Sequence, residues 1–104
     1  MADSFTTREQ LFEAKFAHDE ALKFKITSHR NKLFAGWLTE QMGAAAPTGY
    51  ADSFLAFAMA RSPSALIDKA QQDLSSHGVA LNDSKLHKAF EQLHDRAEAE
   101  VTAA

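Results

Sequence analysis

The chain has 104 residues, 45% hydrophobic and 24% charged, with a formal net charge of −3. That is the length and make-up of one globular domain, and the acidic balance argues against a nucleic-acid binder, which shows a basic patch or stripe. With no Cys, no run near the roughly 18 apolar residues of a membrane span, and an opening MADSFTTREQ that lacks the form of a signal peptide, a cytosolic protein without disulfides is expected.

The first long stretch, residues 5–42, has no Pro, and its only glycine is Gly36. It opens on a capping box, Thr6 with Glu9, and stops at Gly43, the usual residue past a helix end. At about 1.5 Å per residue one helix here would span roughly 55 Å. A small domain is narrower than that, so part of the helix is expected outside the core. Leu22, Ile26, Leu33 and Trp37 share one face, widened by Phe34, Leu38 and Met42. Upstream the same face meets Lys15, His18 and Asp19, all polar. A second stripe, Phe5, Phe12 and Phe16, points roughly 70° away. The two stripes predict a bend near residues 17–20 and two working parts. Residues 1–18 form an N-terminal arm, and residues 19–104 form a helical domain. The arm is helical in pattern but short of apolar residues. Alone it is marginal in water, so partial disorder when free and order on a partner are expected. The alternative is that Phe5, Phe12 and Phe16 fold back on the bundle as ordinary core.

The first helix of the domain covers residues 17–42. Asp19 and Lys23 are an i, i+4 pair. Lys23, Lys25, Arg30 and Lys32 read as solvated charges whose stems cover apolar surface. Residues 43–49, GAAAPTG, are a connector punctuated by Pro47 and Gly49. The second helix, residues 50–61, is apolar on nearly every side (Tyr50, Phe54, Leu55, Phe57, Ala58, Met59) and is expected to be the most buried. Ser62-Pro63 ends it and starts a third, residues 63–76, carrying Leu66, Ile67, Ala70 and Leu74. His77-Gly78 stops that one. Asn82 caps the last helix, with Leu81 against Leu86 as a hydrophobic staple. Leu86, Phe90, Leu93, Ala97 and Val101 form its apolar face, and residues 102–104 are expected to fray. No alternating strand pattern occurs. The fold class is therefore all-α: a small, mostly antiparallel four-helix bundle with a mobile, helix-prone N-terminal arm. Trp37, Phe54, Phe57 and Phe90 are the expected core aromatics.

Catalytic chemistry has little to stand on. The five histidines are His18, His29, His77, His87 and His94, and no pair has the i, i+4 spacing of a helical zinc site. His87 and His94 flank one helix face and could reach a metal with Glu91, but they read as surface histidines. The like-charged pairs Glu9/Glu13 and Glu91/Asp95 show no pocket that would shift a pKa for acid–base work. The glycines form no phosphate loop. No enzyme, metal or tightly held cofactor is expected. What remains is an aromatic arm with interleaved charges on a compact bundle, the layout of a helix that docks in a partner's groove. Phe5, Phe12 and Phe16 would be its anchors. Arg8 and Lys15 would meet acidic groups, and Glu9 and Glu13 basic ones.

The run FTTREQLFEAKFAHDEALKFK, followed by RNKL and Trp37, resembles the zeta-type inhibitor subunit of bacterial F-type ATP synthases. The matching residues are Phe5, Arg8, Glu9, Glu13, Lys15, Phe16, Ala17, Asp19, Phe24 and Lys25, then Arg30, Asn31, Lys32, Leu33 and Trp37. Three departures stand out. His29 takes the place of a first arginine. Ala35-Gly36 shifts the glycine by one position. Arg61-Ser62-Pro63-Ser64 replaces an acidic loop. The resemblance implies a four-helix protein whose arm inserts between an alpha and a beta subunit near the gamma shaft and blocks ATP hydrolysis. Phe5, Phe12 and Phe16 would be buried there, and Arg8, Glu9, Glu13 and Lys15 would set register. A monomer when free is expected, and the resemblance implies a cytoplasmic place, peripheral to the inner membrane through the synthase. Two other classes compete. Lys23, Lys25, Arg30, Lys32 and Trp37 could hold ATP or ADP weakly by charge and stacking, or the chain could be a helical adaptor for another partner. A pH switch through His18 is a further possibility.

Overall fold

The computed structural model describes residues 2–103, with side chains from residue 18 onward. Four helices follow one another: α1 (Ala2–Met42), α2 (Tyr50–Ala58), α3 (Pro63–Ser76) and α4 (Asp83–Ala103). A 3₁₀ turn at Gly43–Ala45 follows α1. Among the described residues there is no strand, and no helix is long and apolar enough to cross a membrane. The molecule is a rod of 67 × 24 × 23 Å.

The caps follow the sequence. Ser62 Oγ accepts from the Ala65 N–H at 3.2 Å, and Pro63 takes the first position of α3, where its missing N–H costs nothing. At the other end of α3 the Val79 N–H donates to the Leu74 carbonyl at 2.8 Å and the Gly78 N–H to that of Ser75 at 3.1 Å. This is a Schellman closure, with Gly78 at φ 78° where a side chain would be strained. Asn82 Oδ1 accepts from the Lys85 N–H at 2.8 Å, which caps α4.

Two helix ends differ from expectation. α2 stops at Ala58, not at residue 61. Met59 turns extended and Ala60 takes φ 57°, left-handed without being glycine. That early stop turns the chain so that Tyr50 and Phe57 of α2 face Asp73 and Lys69 of α3. The left-handed region costs an alanine about 1 kcal/mol. Ala60→Gly is therefore expected to stabilise the fold by about 0.5 kcal/mol once glycine's greater unfolded freedom is subtracted. Urea unfolding reads this as a higher midpoint. A lower one would mean that the Ala60 methyl makes a contact worth more than the strain. At the C-terminus α4 does not fray at residue 102. It stays helical to Ala103, and the Thr102 hydroxyl donates back to the Glu98 carbonyl at 2.7 Å.

The core joins Phe34, Ala35, Leu38 and Met42 of α1 with Tyr50, Phe54 and Ala58 of α2, Leu66, Ile67, Ala70 and Leu74 of α3, and Leu86 and Phe90 of α4. Phe34 is its hub. Its ring lies edge-on to Phe90 at 5.0 Å and to Phe54 at 5.7 Å, and stacks on Trp37 at 5.9 Å. Trp37 and Phe57, expected inside, only flank this cluster. Nor is α2 buried all round: Tyr50, Phe54 and Ala58 are inside, while Met59, just past its end, is 76% exposed.

The buried side of α1 takes in the flank of the hydropathy stripe, Phe34, Leu38 and Met42, and not its centre. Leu22, Ile26, Leu33 and Trp37 are half-buried. The fully buried positions are Arg30, Asn31, Phe34, Ala35, Leu38 and Met42. α1 is held on two sides, by α2 and by α4, so its packed face is wider than one stripe and includes two polar residues. The helix passes through residues 17–20 without interruption. Residues 18–21 are exposed, and the side chains of the second stripe, Phe5, Phe12 and Phe16, lie outside the described residues.

Candidate functional site

α1 and α4 run antiparallel: Phe34 meets Phe90, and His29 meets Glu100. Three residues beyond Glu100, α4 ends. Glu100 and Val101 share a shallow hollow with Lys25 and His29, so α4 gives out near residue 25 of α1. Upstream of that point residues 18–21 are exposed, and α1 continues to Ala2. The side chains of Phe5, Arg8, Glu9, Phe12, Glu13, Lys15 and Phe16 lie outside the described residues, as does the Thr6–Glu9 capping box.

At the root of this projecting helix sits a polar clamp. The His29 imidazole Nε2 lies 2.7 Å from the Glu100 carboxylate. Arg96 Nε donates to the other Glu100 oxygen at 2.6 Å. Hydrogen bonds from His29 and Arg96 hold the Glu100 carboxyl below the usual carboxylate range. The next residue of α1 after His29, Arg30, is 6% exposed. Its guanidinium stacks over the Phe90 ring, 4.7 Å from the centroid, and donates to Asn31 Oδ1 at 3.0 and 3.2 Å. Burial lowers its pKa, but a guanidinium stays charged. Arg30 is thus a packing residue whose charge is spread over an aromatic face and an amide, not the solvated cation its sequence context suggests.

A second anchor ties α2 to α3. The Tyr50 hydroxyl donates to Asp73 at 2.6 Å, and Lys69 Nζ donates to the same carboxylate at 3.1 Å. Burial, and then the Asp73 carboxylate, push the Tyr50 phenol well above its ordinary pKa. Arg61 and Lys69 both approach the Phe57 ring, at 4.3 and 5.2 Å.

The five residues considered for nucleotide are not gathered. Lys23, Arg30 and Trp37 follow one side of α1, and Lys25 and Lys32 the opposite one, about half a turn away. Arg30 is buried and Trp37 stacks on Phe34. Lys23 Nζ lies 4.0 Å from Glu20, so its neighbour is Glu20 and not Asp19. His87 Nε2 lies 3.4 Å from Asp83, and His94 is half-buried. Among the described residues no three His, Cys, Asp or Glu side chains form a metal cage.

A family model, ATPase inhibitor subunit zeta, matches residues 1–100. The chain belongs to that family. No curated protein and no solved structure matches it. The resemblance carried by the first helix therefore extends over the bundle as well. The departures from the family pattern have local consequences here. His29, in place of an arginine, is the residue that reaches Glu100. Gly36 faces open space, so its position is not set by crowding, while Ala35 before it is in the core. Arg61 to Ser64 form the turn in which Ser62 caps α3 and Arg61 covers Phe57. The Glu100 clamp and the burial of Asn31 carry no pattern in the sequence. The only trace is an Arg-Asn pair inside an otherwise helical stretch.

Proposed function

We propose that the chain is a protein inhibitor of the F-type ATPase and not itself an enzyme. Residues 1–18 are the inhibitory arm, entering the catalytic interface between an alpha and a beta subunit near gamma. Phe5, Phe12 and Phe16 bury there, and Arg8, Glu9, Glu13 and Lys15 set the register. What carries the reading is family membership over residues 1–100. The geometry supports it: α1 outruns the helices packed against it, and the clamped bundle at its root is 24 × 23 Å across, a natural stop to insertion. Inhibition needs only differential binding to one rotary state. About 4 kcal/mol of difference shifts that population a thousandfold. No bound nucleotide is required, and the free protein is a cytoplasmic monomer that reaches the membrane only through the synthase.

The test is ATP hydrolysis by the F-type ATPase of the same organism, with the full chain and with a version lacking residues 1–16. The full chain is expected to inhibit and the shortened one to lose inhibition by at least about a hundredfold, while its circular dichroism still reports a folded bundle. A shortened chain that inhibits as well as the full one would show that the arm is not the inhibitor.

A further inference from the structure

Phe24 is 73% exposed, one of two large hydrophobic side chains that the described residues leave in solvent. It stands on the part of α1 that has left the bundle. α2, antiparallel to α1 with Phe54 against Phe34, ends at Ala58. Its contact with α1 is at Phe34, ten residues past Phe24, and the helix runs only four residues beyond Phe54. α4 gives out where Glu100 and Val101 lie beside Lys25 and His29. No helix among the described residues is placed to cover the ring.

Its surroundings have a definite shape. The helix neighbours of Phe24 at one turn's distance are Glu20, Ala21, Thr27 and Ser28, all exposed and three of them short. The ring therefore rises from a low floor, and a partner's backbone can approach closely enough to enclose it. The exposure also has a cost. Phe is a poorer helix former than Ala, and an unburied ring returns none of the hydrophobic gain. Nothing in the isolated fold rewards it.

We infer that Phe24 is a further docking residue, a knob that enters an apolar pocket on the same partner surface that receives the arm. This rests on the inhibitory reading above. Continuity argues for one occupant. α1 is a single helix from Ala2 to Met42, so Phe24 stands about 12 Å along the same helix from Phe16. A partner that grips the arm is therefore already beside it. The interface then runs to residue 24, just short of the clamp at His29, and the first docking contact made by described residues lies where helix and bundle meet.

The experiment titrates the ATPase with the full chain, with Phe24→Ala, and with Met59→Ala. Met59 is the other exposed large hydrophobic, at the α2–α3 corner, and serves as the control. Thermal unfolding of all three is followed alongside. Phe24→Ala is expected to need about tenfold more protein for half inhibition, with an unchanged melting temperature and an unchanged Met59→Ala control. Because Ala favours helix over Phe, a loss cannot be assigned to a melted α1. Undiminished inhibition by Phe24→Ala overturns the inference while the arm reading stands. Equal losses in both variants also overturn it, since surface apolarity in general would then be the cause. If the full chain itself does not inhibit, the inhibitory reading fails and the inference falls with it. The full-chain curve alone identifies that case.

Discussion

Phe34→Ala is expected to destabilise the bundle by about 3–5 kcal/mol, which in a domain of this size lowers the melting temperature by about 20 °C. Phe34 is fully buried and, among the described residues, is the one whose ring meets an aromatic on each of α2 and α4, Phe54 and Phe90, while also stacking on Trp37. Truncation removes the transfer gain of the ring and leaves a cavity that α1, held from two sides, cannot close by sliding. It also removes the edge-to-face pairs, each worth about 0.5–1.5 kcal/mol. A small domain commands about 5–15 kcal/mol in total, so this one change consumes much of the margin. Thermal unfolding by far-UV circular dichroism is the measurement. Phe57→Ala, at a half-buried ring on the edge of the cluster, should cost less than half as much. Equal losses at the two positions would remove Phe34 from the centre of the fold.

The second large effect concerns Arg30, and two substitutions separate its charge from its bulk. Arg30→Ala is expected to cost about 2–3 kcal/mol, because it uncovers the Phe90 ring and leaves Asn31 Oδ1 without its donor. Arg30→Met keeps an unbranched apolar body over the ring and removes a buried charge that has no carboxylate among its hydrogen-bond partners. Replacing a buried charge by apolar volume is often neutral or stabilising, so Arg30→Met should fall within about 1 kcal/mol of the natural protein or above it. Denaturant midpoints decide. Similar losses for Ala and Met would mean that the guanidinium charge itself holds α1 to α4.

These two residues also mark the limit of what hydropathy reveals. Leu22, Ile26, Leu33 and Trp37 look like the buried stripe because they are apolar, yet they are half-buried. Arg30 and Asn31 look solvated because they are polar, yet they are in the packed face. An arginine can be buried when an aromatic face and an amide receive its guanidinium. Phe90 is 60 residues away in sequence, and no local pattern announces that it will arrive there. The same holds for the clamp, since His29 and Glu100 are 71 positions apart. The end of α2 was hidden for a different reason. Pro63 signals that the helix must stop, but a left-handed alanine at position 60 follows from the packing of Tyr50 and Phe57 against α3, not from any propensity of alanine.

What the sequence determined by itself is local or carried by dense motifs. The four helices, the caps at Ser62 and Asn82 and the glycine closure at Gly78 depend on residues within one turn of each other, so the chain's own spacing encodes them. The family is legible for the same reason, in a run of contiguous residues from Phe5 to Lys25. Only the tertiary structure decided how far the buried face of α1 extends beyond Phe34, Leu38 and Met42, that Arg30 lies against Phe90, where α4 gives out along α1, and hence that Phe24 stands uncovered. Each of these depends on where a distant helix comes to rest. That is set by the summed packing of the core and not by any stretch of sequence read alone.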